Sequence, residues 1–167
     1  ELRNLMARLA VTEAAQRRVF FEKQMDKARS KLADAEAVLK ASGVGESMLK
    51  ITPNAALESL ARLRAQVTAQ ELRLAAMKNF VTEANPEFQR AQAELGALRA
   101  ELGRREGSET VPAGSAETGY ADKYRSFKYA ETLYELMAKQ YEAARLDEVR
   151  DGALVQVVDL AIAPEKK

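Results

Sequence analysis

From position 2 to position 41 the chain contains neither Gly nor Pro, so nothing in that run stops a helix once it has begun. At ~1.5 Å per residue such a helix is roughly 60 Å long, more than a globular core of this size requires. The run is therefore expected to stand out as a rod. Within it Phe21, Met25, Ala28, Leu32, Ala35 and Leu39 recur at steps of four, three, four, three and four, a heptad seam that alternates large and small residues. That alternation suits close interdigitation with an antiparallel partner. Upstream, Leu2, Leu5 and Leu9 make a separate stripe that drifts from the seam and is weakened at Thr12 and Gln16.

The remaining helices follow from the same kind of pattern. Residues 42–53, SGVGESMLKITP, form a first connection, in which Gly43 suits a left-handed cap and Thr52–Pro53 an N-cap and first helical residue. Its Val44, Met48, Leu49 and Ile51 are a heavy apolar load for a loop. They either fold back to close the tip of a helical hairpin or offer a contact surface there. A second helix, about 54–81, carries Leu60, Leu63, Val67, Leu74, Met77 and Val81, with one polar break at Gln70. Asn85 and Pro86 read as N-cap and first residue of a third helix, about 86–106, with Phe88, Ala91, Leu95, Leu98 and Leu102 on its stripe. The junction before Asn85 is either a reversal or a kink, and length arithmetic favours reversal, with helices running up, down, up, down. Residues 107–118, rich in Gly, Ser, Thr, Pro and Ala, are expected to be a flexible linker.

A fourth helix is expected over about 119–150. Tyr120, Tyr124, Phe127, Tyr134 and Tyr141 lie on one side of it at heptad spacing, with Tyr129, Leu133, Leu136 and Ala143 on a second row. So broad an apolar surface predicts neighbours on two sides. Gly152 is placed to cap the helix, and the β-branched run ALVQVVDL then predicts a strand over about 153–160, including Val155, Val157 and Asp159. The expected fold is thus a mainly α, long antiparallel hairpin or coiled-coil bundle of four helices, a single domain over residues 1–167, with one short C-terminal strand.

Composition narrows the function. The chain has 26 basic and 25 acidic residues, net +1, so bulk charge does not suggest a nucleic-acid surface. It has no Cys and no His, which removes disulfides and the commonest metal ligand and general base. The sequence GVGES lacks the Lys of a phosphate-binding loop, and Glu13, Asp34 and Glu36 read as solvated helix-face charges. The acidic and basic turn LDEVRDG is expected to make only local helix pairs. These features predict a non-enzyme without cofactor or metal. The longest apolar stretch, GALVQVVDLAIA, falls short of the ~20 residues a membrane span needs. Glu1 opens in mid-pattern without an N-cap, and the chain reads as a piece of a longer protein.

The run KYRSFKYAETLYELMAKQYEAARLDEVRDGALVQVVDLAIAPEKK resembles the membrane-proximal end of the bacterial chain-length determinants, the polysaccharide co-polymerases that regulate O-antigen and capsule length. In that family a similar helix, charged turn and VVD strand precede a proline-rich approach to a second transmembrane helix, and Asp159 and Pro164 match this pattern. EAAQRRVFFEKQMDKARSKLADAEAVLK is similar to the long periplasmic helix of the same proteins. The resemblance implies a periplasmic domain of an inner-membrane protein, held in the membrane only through transmembrane helices that this chain lacks. It implies a homo-oligomer that works beside the polysaccharide polymerase, in contact with the growing polysaccharide or not. It also implies that the C-terminal strand pairs with a segment just before Glu1. The tyrosine row is then open to two readings, subunit or core packing on one hand and sugar stacking on the other. Two further readings remain, the extracytoplasmic part of a bacterial tyrosine autokinase and a coiled-coil adaptor of a secretion or efflux system.

Overall fold

The computed structural model describes residues 2–42, 55–108 and 116–153. They form four helices: α1, Leu2–Ala41; α2, Ala55–Met77; α3, Pro86–Ser108; and α4, Ala116–Ala153. The mainly α bundle expected from the sequence is the fold.

The chain runs up, down, up, down. α1 packs on α4, α4 also on α2, and α2 on α3, so the helices follow one another across the bundle in the order α1, α4, α2, α3. Cross-helix bonds fix the directions. Arg17 and Arg18 of α1 meet Asp147 and Glu148 of α4, and the core joins Phe21 and Ala28 to Met137 and Ala144, an antiparallel pair. Tyr124 reaches Glu58, and farther along both helices Tyr129 reaches Thr68, so α4 and α2 are parallel. Gln70 meets Glu94, and Arg64 meets Glu106, so α3 returns along α2. One pole of the bundle, the base, holds Arg17, Phe80 and Asp147; the other, the tip, holds Ser42, Ala55 and Tyr120.

The junction between α2 and α3 is a reversal, made as its sequence suggests. Asn85 accepts a bond from the Glu87 amide on its side-chain Oδ1 at 2.8 Å, while its carbonyl accepts the first helical bond from Gln89 at 3.0 Å. Pro86 occupies the first helical position, where a missing N–H costs nothing. α2 ends at Met77, four residues short of Val81 as expected from the pattern. There the Met77 carbonyl accepts from both Phe80 and Val81 at 2.9 Å, tightening the last turn. Phe80 then lies beneath the Arg17 guanidinium, 5.8 Å from ring centroid to cation.

Two cores result. One joins Phe21 and Ala28 of α1, Ala65 and Ala76 of α2, and Leu133, Met137 and Ala144 of α4. The other joins Val67 and Leu74 of α2 to Phe88, Ala91 and Leu95 of α3. The expected seam residues Phe21, Leu60, Leu63, Val67 and Leu74 are buried, whereas Met25, Leu32 and Leu39 are only half-buried. α1 lies at the edge of the row and has a strong neighbour on one side alone, which leaves its upper seam half covered.

The ends of the elements differ from expectation. α4 begins at Ala116 and α3 continues to Ser108, so helix takes both sides of the presumed 107–118 linker, leaving 109–115 outside the described residues. At the far end α4 continues through Gly152 to Ala153. Gly152 therefore does not cap the helix and Ala153 does not open a strand. A glycine is tolerated within a helix at about 1 kcal/mol relative to Ala, and the preceding turns are good helix formers. The rest of the expected strand, with Val155, Val157, Asp159 and also Pro164, lies outside the described residues, as do the tip residues Val44, Met48, Leu49 and Ile51.

Candidate functional site

The aromatic side of α4 begins near the tip. Tyr120 and Tyr124 stack with centroids 6.1 Å apart and planes at 23°. The Tyr124 hydroxyl donates to Glu58 of α2 at 2.5 Å. Burial raises the Tyr124 phenol above its usual value, and the hydrogen bond to the Glu58 carboxylate raises it further, since both favour the neutral hydroxyl. Lys128 lies 6.0 Å from the Tyr124 ring and 5.6 Å from Phe127, and pairs with Glu131 at 2.8 Å. Tyr134 and Tyr141, lower on the helix, pack against the α1–α2–α4 core.

All five aromatics of the row are half-buried, and none is a central core residue. The centre of the α4 interface is instead Ala130, Leu133, Met137 and Ala144. Of these only Leu133 belongs to either aromatic-bearing row read from the sequence. The signal that could have located this stripe is the pair of alanines, which sit at helical spacing from Leu133 and Met137. Small residues rarely draw notice as core, although they are what lets two helix backbones come close.

On the neighbouring side of α4, between it and α2, a cleft of 360 Å³ is lined by Arg64, Asp122, Arg125, Ser126 and Tyr129. Tyr129 and Thr68 share a hydroxyl bond of 3.2 Å. Arg64 holds Glu106 through Nε at 2.9 Å and Nη2 at 2.7 Å, tying the end of α3 to α2. Arg125 has 17% of its side chain exposed, and its one ion pair among the described residues is a long contact of 3.5 Å from Nη1 to Asp122. Its Nε is buried and has no acceptor among the described residues.

At the base, LDEVRDG does more than pair locally. Arg18 donates from Nε to Glu148 at 2.6 Å and from Nη1 to Glu22 at 2.8 Å. These carboxylates raise the Arg18 guanidinium further above its already high value, the Glu148 bond being the chief cause. Arg17 bridges Glu13 at 3.2 Å and Asp147 at 4.0 Å. The expectation of local pairs alone is thus corrected: Asp147 and Glu148 also clamp α4 to α1. The adjacent arginines in AQRRVFF were the overlooked half of this contact. Glu36, read as a surface charge, pairs with Lys40 at 2.6 Å on an exposed face.

Among the described residues no group of three or more acidic side chains is arranged to hold a metal ion, and no helix is long and apolar enough to cross a membrane. Comparison with protein-family models, curated proteins and solved structures finds no match for this chain.

Proposed function

We propose that the chain is a non-enzymatic scaffold, the periplasmic rod of a polysaccharide chain-length determinant, which oligomerises beside the polymerase and biases how many repeat units are added. The observation that carries this reading is the pairing of Arg17 and Arg18 with Asp147 and Glu148. It sets Arg17 and Arg18 of α1 beside the last turns of α4, so that α1 and the end of α4 run together at the base, as suits a domain tethered to one membrane through both its flanks. α1 also projects beyond the turn at Phe80: residues 2–16 precede the level of Arg17, roughly 22 Å of helix. Leu146 and Val149, 68% and 66% exposed on α4 near this pole, are the apolar side chains that a second copy would cover. The mechanism is geometric: a rod multiplied by symmetry presents a long surface to a growing polymer.

The test is genetic. In the bacterium that carries the gene, deletion is expected to change the length distribution of surface polysaccharide without abolishing its synthesis, and the intact gene to restore it. Phe21→Asp, which puts a charge into the core that joins α1 to α4, is expected to broaden the gel ladder at normal protein level. A ladder indifferent to deletion would overturn the reading, and loss of all polymer would favour a role in export.

A further inference from the structure

We propose that the cleft between α2 and α4 binds a carboxylate group, with Arg125 as its principal donor and an acidic sugar as the ligand that brings it. The inference starts from a contrast between two arginines. Arg18, whose side chain is 27% exposed, gives its Nε to Glu148 and an Nη to Glu22. Arg125 is more deeply placed, at 17%, yet among the described residues its Nε has no acceptor and its only ion pair is at 3.5 Å. A buried guanidinium N–H without an acceptor is costly, and native structures nearly always satisfy such groups with protein, water or ligand. Arg125 itself lines a 360 Å³ cleft, within the range that holds a small organic molecule.

The chemistry of the lining selects the ligand. A guanidinium presents parallel N–H donors that match the two oxygens of a carboxylate. Arg64 adds positive charge on the opposite helix, although both of its bonded nitrogens are engaged by Glu106. The Ser126 and Tyr129 hydroxyls, which bond the Asp122 carbonyl and Thr68, have acceptor capacity left for the hydroxyls of a sugar. Asp122 is the one acidic lining residue among the described residues; its side chain is 70% exposed, so it can turn into solvent as a ligand carboxylate replaces it. The choice of an acidic sugar rests on the polysaccharide reading above; the carboxylate rests on Arg125 alone.

Calorimetric titration of the 167-residue chain with glucuronate, glucose and inorganic phosphate tests the proposal. Saturable binding of glucuronate is expected, with none for glucose and weaker binding for phosphate. Arg125→Met, which keeps the apolar stem, should weaken glucuronate binding about tenfold or more, as loss of a charge-assisted pair does. The same variant should melt no lower than the wild type without ligand, because it removes an Nε donor that lacks an acceptor among the described residues and only a long ion pair to the exposed Asp122. Absent glucuronate binding, or equal binding by Arg125→Met, overturns the proposal. So does a clear fall in melting temperature without ligand, which would mean that the chain itself supplies the acceptor. Phosphate binding as tight as glucuronate would overturn the assignment to a carboxylate. None of these results touches the ladder phenotype of Phe21→Asp, so the two readings can fail separately.

Discussion

The two faces of α2 are built differently. Toward α4 and α1 it presents Ala65 and Ala76, at 0% and 2% exposure, and these let Leu133, Met137 and Phe21 close over them from two other helices. Toward α3 it presents Val67 and Leu74, which meet Phe88, Ala91 and Leu95 of a single helix. The margins of this second face are polar: Arg99 pairs with Glu71 at 2.7 Å, Arg64 with Glu106 at 2.7 Å, and Gln70 crosses to Ala91 and Glu94 at 3.0 Å. A face shared by three helices loses a great deal of burial if any member leaves. A face shared by two, with exposed ion pairs worth little at its margins, can open by itself. α3 should therefore be the least stable helix of the bundle, and the α1–α4–α2 unit should unfold as one.

The sharpest way to break this comparison is to injure each core in turn. Met137 is fully buried among three helices, and Met137→Ala should lower the global unfolding free energy by about 2–5 kcal/mol, read as a lower urea midpoint. Phe88→Ala removes more volume, roughly 3–5 kcal/mol of local packing. Most of that loss should appear as faster amide exchange in α3, with a smaller shift of the global midpoint than Met137→Ala gives. If Phe88→Ala moves the global midpoint as far as Met137→Ala, the two cores are one cooperative unit and the distinction fails.

Gln70 sharpens the comparison further. It is 7% exposed, and its amide donates to the Ala91 carbonyl and the Glu94 carboxylate across the α2–α3 face. Gln70→Ala should cost about 1–2 kcal/mol, through the lost bonds and the gap left behind. Gln70→Leu should cost less, because an apolar group of similar volume needs no partner. A Leu variant as unstable as the Ala variant would show that the hydrogen bonds, rather than the volume, hold α3 in register. Guanidine denaturation curves for the three proteins suffice.

These contrasts also explain what could be read ahead of the structure. The Gly- and Pro-free run of α1, the Asn85–Pro86 reversal and the stripe of Phe88, Ala91 and Leu95 are local signals, written in spacing and capping chemistry, and they were legible. Gln70 was visible only as a break in a stripe, because a polar residue at a core position declares its partner only once α3 is beside it. The order of helices across the bundle was not legible either. It depends on which of several similar apolar stripes pairs with which, and the alanines that decide this carry a weak signal in any one helix. The same holds for the candidate site. The tyrosine row stood out by spacing, but the Arg125 cleft exists only because α2 and α4 run parallel and bring Arg64 to its side. A lone arginine in KYRSF looks like surface.

The smallest expected effect separates the tip from the rest of the α2–α4 contact. Tyr124 donates to Glu58 at 2.5 Å, and burial together with that carboxylate holds its phenol above the usual value of about 10. The sign follows from proton counting. Below pH 10 the phenol is protonated in both folded and unfolded chains, and the stabilisation it provides is fully present. Above pH 10 the unfolded chain loses this proton first, so the folded state binds more protons and stability falls as pH rises toward the folded value. Tyr124→Phe keeps the ring and its stacking on Tyr120 but cannot ionise. The variant should be slightly less stable than the wild type at pH 8, where the bond to Glu58 is lost, and the gap should narrow as pH climbs beyond 10. Denaturant midpoints for the two proteins from pH 8 to pH 11 measure it, and parallel curves across that range would mean that the Tyr124 hydroxyl is solvated at the tip rather than held between α4 and α2.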